Sequence, residues 1–319
     1  MTKMDLRSIS DLNAQQLHEI FLLAADMKDH PERYTSCLQG RTMAMINEKQ
    51  SLRTKVTFEA GIQQLGGFAV YLTNQDINLG KREPVKDIAR NLSRWVDLIV
   101  ARVYRQATIT EMAEYASVPV INALSDEGHP CQAVSDMFTL WDQVRGRDSL
   151  RGFKLAYIGD GNNVCNSLIL IAGLVGLHLV ISTPPGYEPE ARFVDRGRRM
   201  AEEIGGLVTF EPCPRKAVAG VDAIYTDVWT SMGQEAETAK RLVDFKGYQV
   251  NDELLAHAPA HAKIMHCLPA HRGEEITGSV LESPRSIVFD QAENRLHGQK
   301  AIMKFLVEHS QNKARPASA

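Results

Sequence analysis

No stretch of this chain is apolar for long enough to cross a bilayer as a helix. The opening segment, Met1 to Asp11, lacks a basic region followed by an apolar one, so no secretory signal is expected. Neither sign of charge dominates. Against 39 Asp and Glu stand 36 Lys and Arg, a net charge of -3. That balance gives no global attraction to nucleic acid or to an anionic membrane, so any anion site must be local. Cysteine is sparse and unpatterned. Cys37, Cys131, Cys165, Cys213 and Cys267 are odd in number, and no two form a C-x-x-C pair. This argues against a disulfide framework or a zinc site and for reduced thiols in the cytoplasm. A complete dinucleotide fingerprint is missing too. Gly159-Asp160-Gly161-Asn162-Asn163-Val164 has valine where G-x-G-x-x-G needs its third glycine. The run Ile181 to Tyr187 supplies no acidic residue for a ribose. An NAD-dependent dehydrogenase is therefore disfavoured, and no cofactor is expected.

What is present is a long globular chain of 319 residues, enough for two domains. Apolar runs at Met43 to Ile46, Phe68 to Leu72, Leu98 to Ala101 and Val118 to Ile121 read as strands. Helical patterns separate them, including Arg53 to Leu65 and Val85 to Trp95. An amphipathic segment, Ile9 to Lys28, precedes them and has Asp11 as a candidate cap. After a long helix from Pro130 to Gln143 and a polar break at Arg145 to Gly152, the alternation restarts at Lys154. The expected fold class is α/β, with two similar-sized domains, each a parallel sheet flanked by helices, joined by inter-domain helices. The first domain covers residues 1–147 and is joined by a C-terminal helix at 292–309; the second covers 148–291. The polar tail, 310–319, is expected to be disordered.

Several strand ends carry chemistry. Ser51-Leu52-Arg53-Thr54 opens a helix after a strand, where a helix N-terminus, two hydroxyls and a guanidinium make a phosphate cradle. Taken alone, it also reads as a serine cap beside a surface arginine. His129 and Gln132 flank Pro130 on one side of a first helical turn and can polarise a carbonyl. Arg102 ends another strand and reaches the same edge, where open α/β sheets bind ligands. In the second half, Asn163 offers an amide donor to a carboxylate, and Asp227 an acceptor for an ammonium. Ser231 and the N–H groups around Met232-Gly233 suit a carboxylate, or form a turn and helix cap. Cys267 closes a strand as either a buried apolar residue or a site thiol.

Together these segments resemble the aspartate/ornithine carbamoyltransferase family. The likeness runs through Ser51 to Glu59, Gly80 to Arg90, His129 to Gln132, Gly159 to Asn163, Asp227 to Glu235, His266 to Pro269 and Ala292 to Arg295. The resemblance implies a carbamoyl phosphate domain followed by an ornithine domain. It implies that Ser51, Leu52, Arg53 and Thr54 bind the phosphate of carbamoyl phosphate, and that Asn78, Arg102, His129, Gln132, Cys267, Leu268 and Arg295 complete the site for that substrate. Of these, Arg102, His129, Cys267 and Arg295 are the expected catalytic residues. Asn163, Asp227, Ser231 and Met232 match the ornithine-binding positions. Two departures stand out. Leu52 replaces a threonine common in the family's anion loop, which removes a hydroxyl. Asn78 stands where glutamine is frequent, on a loop that in the family reaches a neighbouring subunit.

The implied reaction joins carbamoyl phosphate to the δ-amine of L-ornithine, giving L-citrulline and phosphate in arginine metabolism. Orientation and donors aimed at the developing oxyanion suffice for it, so neither metal nor covalent intermediate is expected. The implied partners are the two substrates, with no nucleic acid or membrane, in a cytoplasmic homotrimer or a multiple of one. The alternatives within the class are putrescine or an acylated ornithine as acceptor. A silent regulatory relative is disfavoured because Arg53, His129 and Cys267 are all present.

Overall fold

A computed structural model describes residues 3–143, 150–231 and 233–310. The apolar runs become strands. Thr42–Asn47 (β1), Phe68–Thr73 (β2), Leu98–Arg102 (β3) and Val120–Leu124 (β4) form one sheet. Lys154–Ile158 (β5), His178–Ser182 (β6), Leu207–Phe210 (β7), Ala223–Thr226 (β8) and Lys263–His266 (β9) form a second. Every pairing between these strands is parallel. β3, β4 and β8 are buried along their whole length, as strands covered on both faces must be. The expected α/β class, with two helix-flanked parallel sheets, is what forms.

The chain divides into two compact units: Met1–Phe138 with Asn294–Ala319, and Thr139–Glu293. The division points fall inside two helices, Pro130–Gln143 and Val288–His309. Most of the expected boundary segment, Arg145 to Gly152, lies outside the described residues, as does the tail from Gln311. In the first unit, Ala44, Ile46, Ile99 and Ala101 of the sheet pack with Ile88, Leu92 and Met112 from helices. In the second, Ala156, Ile158, Ile224 and Ile264 pack with Leu254, Val280 and Val288.

The N-terminal segment differs from expectation. Ile9–Asp11 is a separate 3-10 turn, Leu12 is extended, and the helix Ala14–Asp29 is capped by Asn13 instead of Asp11. The Asn13 side chain accepts from Gln16 N–H, while Asp11 accepts from the backbone of Arg7 and Ser8. Two capping boxes in succession thus break what the apolar spacing alone presents as one helix. The C-terminal helix also starts earlier than expected, at Val288.

Strand order positions the candidate sites. The first sheet runs β2-β1-β3-β4 and the second β7-β6-β5-β8-β9. In each, the chain lays successive strands on one side of its first strand and then crosses to the other. The switch lies between β1 and β3, and between β5 and β8. Loops leaving those strands flank a crevice at the carboxyl edge of each sheet, where parallel sheets take ligands.

Candidate active site

In the first unit, the loop after β1 ends at Ser51, which caps the helix Leu52–Gln64. Its Oγ accepts from Thr54 N–H at 3.1 Å. The cap turns Thr54 inward, where it is fully buried. There the Thr54 hydroxyl accepts from Arg295 Nη2 at 2.9 Å and from Arg102 Nη1 at 3.3 Å. Arg102 comes from the end of β3, beside Asn47 of β1, and Arg295 from the C-terminal helix. Both are nearly sealed, at 7% and 3% exposure. Two buried guanidinium groups meeting on one neutral oxygen concentrate positive charge at this strand edge, a setting that attracts an anion.

His129 precedes the helix Pro130–Gln143, and its carbonyl accepts from the Gln132 and Ala133 N–H groups. Burial first, and then the charges of Arg295, Arg102 and Arg53, hold the imidazole well below its ordinary pKa. His129 is therefore neutral at neutral pH, a polar group and not a cation. Gln132 is buried; its Nε2 donates to Asp136 at 2.7 Å, while its Oε1 has no hydrogen-bond partner among the described residues. That acceptor suits an –NH2 group. The structure thus gathers Ser51, Thr54, Arg102 and Arg295 by direct bonds, with Arg53 and His129 coupled to them through charge. Asn78 takes no part in these bonds. It is exposed, in a left-handed conformation, at the end of the short helix Asn74–Ile77. Leu52 is 73% exposed, so its apolar side chain is no part of the buried cradle.

In the second unit, Asp227 follows β8 and is 6% exposed. Its Oδ1 accepts from Val228 N–H at 2.8 Å and from the Cys267 thiol at 2.8 Å. Its Oδ2 accepts from Asn162 Nδ2, also at 2.8 Å. Asn162 is the residue that sequence reasoning passed over. It caps the helix Asn163–Val175, accepting from Val164 and Cys165 N–H, while its amide orients Asp227. The signal was the Asn-Asn pair itself, since an N-cap is the residue before the helix, here the first of the two. Asn163 opens that helix and is half-buried.

The loop after Asp227 carries hydrogen bonds of its own. Ser231 N–H donates to Gln234 Oε1, and Gly233 N–H to the Glu235 carboxylate. These two backbone donors are thus engaged within the loop itself. Met232 lies outside the described residues. Leu268 follows Cys267 with a positive φ and a cis bond to Pro269. Its N–H donates to His266 Nδ1, and His266 Nε2 lies 3.0 Å from Glu275. Asp227, His266 and Cys267 bring potential metal-ligand atoms within 4.8 Å of one another. Of the three, Asp227 and Cys267 are bonded to each other, while both imidazole nitrogens of His266 are engaged by Leu268 N–H and Glu275.

Gly161 explains the incomplete dinucleotide motif. A Cβ there would lie 2.2 Å from Pro189 N, because the chain at Tyr187 to Pro189 crosses directly over it. Gly161 N–H donates to Tyr187 O at 2.8 Å. The glycine admits a protein loop where a pyrophosphate would need to approach.

Two family models match successive parts of the chain. A family model described as aspartate/ornithine carbamoyltransferase, carbamoyl-P binding domain, matches residues 4–142. Its companion, the Asp/Orn binding domain, matches residues 151–306. The chain is 50% identical over 302 residues to an ornithine carbamoyltransferase of Archaeoglobus fulgidus, covering 93% of this chain and 95% of that one. Among solved structures, ornithine carbamoyltransferase from Pyrococcus furiosus superposes with a TM-score of 0.90 at 46% identity, covering 95% and 96% of the two chains. The enzyme from Thermus thermophilus gives 0.85 at 44% identity, covering 96% of this chain and 100% of that one.

Proposed function

The chain belongs to the aspartate/ornithine carbamoyltransferase family, and on that premise we propose that it transfers the carbamoyl group of carbamoyl phosphate to the δ-amine of L-ornithine. The products are L-citrulline and phosphate. The observation that carries this reading is the convergence of Arg102 and Arg295 on buried Thr54, beside Arg53 and His129.

In this reading Arg53, Ser51 and the helix N-terminus that Ser51 caps hold the phosphate. The Thr54 oxygen accepts from two guanidinium groups, so its own hydrogen is left to donate. Together with Arg102 and neutral His129 it faces the carbamoyl oxygen, where charge builds as the amine attacks. Gln132 Oε1 accepts from the carbamoyl –NH2. In the second unit, Asp227 and Cys267 position the acceptor amine, while Asn163, Ser231 and Met232 take up the amino-acid end. The neutral amine forms the new C–N bond, and the C–O bond to phosphate breaks. The departing phosphate carries off the amine's proton, so no protein base is required.

A place in arginine metabolism follows from the product, whose ureido group is the precursor of a guanidine. We place the protein in the cytoplasm and assign it a homotrimer or a multiple of one. The direct test is purified protein with carbamoyl phosphate and ornithine. Citrulline and phosphate in equal amounts are expected. Phosphate release without citrulline would overturn the assignment.

A further inference from the structure

Arg241 lies outside every motif identified in the sequence, yet it is 5% exposed and makes three hydrogen bonds. It sits on the helix Thr238–Asp244. Its Nη1 donates to Asp160 Oδ2 at 3.0 Å and to the Trp229 carbonyl at 2.8 Å, and its Nε to Glu237 at 3.0 Å. The guanidinium also lies 4.9 Å from the centre of the Tyr187 ring. Tyr187 packs edge-on against Phe245 at 4.7 Å, and Phe245 lies 5.5 Å from Trp229.

The partners of this one side chain belong to the loops that carry the second substrate's residues. Asp160 is two residues before Asn162, the cap that orients Asp227. Trp229 stands midway between Asp227 and Ser231. Tyr187 belongs to the segment that crosses over Gly161. Burial raises Asp160 to about 6, and the charge of Arg241 opposes that shift. A surface role would not require a sealed ion pair, whose desolvation offsets much of its attraction. The planar guanidinium holds Nη1 on the Asp160 carboxylate and the Trp229 carbonyl while Nε holds Glu237, three bonds in directions that the freely rotating ammonium of a lysine does not fix.

We propose that Arg241 is a positioning residue for the acceptor substrate, holding the loops after β5 and β8 in the register that sets Asp227 and Ser231. This rests on the reading of the second unit as the ornithine half. Its signature is confined to the acceptor. Arg241→Met keeps the length and apolar stem but removes the fork. It should raise the KM for ornithine by about tenfold or more, with the Kd for carbamoyl phosphate unchanged within about twofold. Because this variant leaves Asp160 buried and unpaired, it is also expected to unfold at lower urea. Adding Asp160→Asn removes that charge. The double variant should recover most of the unfolding midpoint but keep the raised ornithine KM, since the bond to Trp229 is still absent. Arg241→Lys, which preserves charge and folding, should give an intermediate KM.

The measurements are steady-state kinetics with both substrates, calorimetry with carbamoyl phosphate, and urea midpoints, all on the full chain. An ornithine KM that stays at the unsubstituted value in Arg241→Lys and in the double variant would overturn the proposal. So would recovery of KM in parallel with the midpoint, or a carbamoyl phosphate Kd that rises as much as the ornithine KM. An unsubstituted protein that makes no citrulline would instead overturn the reaction assignment on which this role depends.

Discussion

Replacing Thr54 by valine removes one oxygen at nearly constant shape, at a site with no access to water. That oxygen is the shared acceptor of Arg295, at 2.9 Å, and Arg102, at 3.3 Å. Neither guanidinium can turn to solvent for compensation, since they are 3% and 7% exposed. A hydrogen bond to a charged group contributes about 1.5–3 kcal/mol, and the longer of these belongs at the weak end. The ligand-free protein should therefore lose about 2–4 kcal/mol of stability. Catalysis should fall as well, because the valine has no hydrogen to offer the carbamoyl oxygen. Loss of one preorganised donor at a developing oxyanion lowers kcat by about 100- to 1,000-fold. Urea unfolding gives the first quantity as a shift in midpoint at constant slope, and citrulline formation gives the second. A variant with the parent's midpoint and a kcat within about twofold of it would refute the role of Thr54 as hub of the cradle.

Arg53→Ala should weaken carbamoyl phosphate binding by about 10- to 150-fold, the equivalent of one lost charge-assisted contact, and calorimetry showing an unchanged Kd would remove this loop from the site. Asn162→Ala deletes both a helix cap and a bond to Asp227; it should cost about 1–2 kcal/mol in unfolding experiments and raise the ornithine KM, whereas a loss of stability alone would limit Asn162 to capping. The depressed pKa of His129 makes a pH prediction: below about 6.5 the unfolded chain takes up a proton that the folded imidazole refuses. Stability due to this group is therefore present above that pH and falls with pH until the folded pKa is passed. Its share of the slope is at most about 1.4 kcal/mol per pH unit. Unfolding free energies of the parent and His129→Gln across pH 5 to 7 should diverge in slope, and parallel curves would contradict a neutral, buried His129.

The fold was legible where apolar runs lacked period two. β3 and β4, buried on both faces, cannot be mistaken for half-exposed strands. Ser51, Arg53, Thr54, Arg102, His129 and Gln132 were legible because each stands at a strand end or at the start of a helix, where backbone polarity concentrates, whereas Arg295, well inside the C-terminal helix, was reached only through the family resemblance. What escaped was set by side chains acting across sequence distance. Arg241 is 81 residues from Asp160, and nothing local distinguishes it from the other arginines of the chain. Asn162 was overlooked for its neighbour because the sequence shows a helix start only to within a residue or so, and a cap depends on that one position. The internal bonds of the Ser231 loop were hidden for a different reason. Its N–H groups exist as expected, but Gln234 and Glu235, within three residues along the chain, are close enough to claim them.

The identity of the acceptor is the claim on which the rest depends. Carbamoyl phosphate should be offered in parallel to ornithine, putrescine, N-acetylornithine and aspartate, and kcat/KM compared. Putrescine lacks the carboxylate, N-acetylornithine lacks the α-ammonium, and aspartate would bring a second carboxylate towards Asp227, where like charges repel. One or two missing buried contacts at roughly 1–3 kcal/mol each predict that ornithine exceeds every rival by about a hundredfold or more. Comparable turnover of any of the three would contradict an ornithine site built around Asp227.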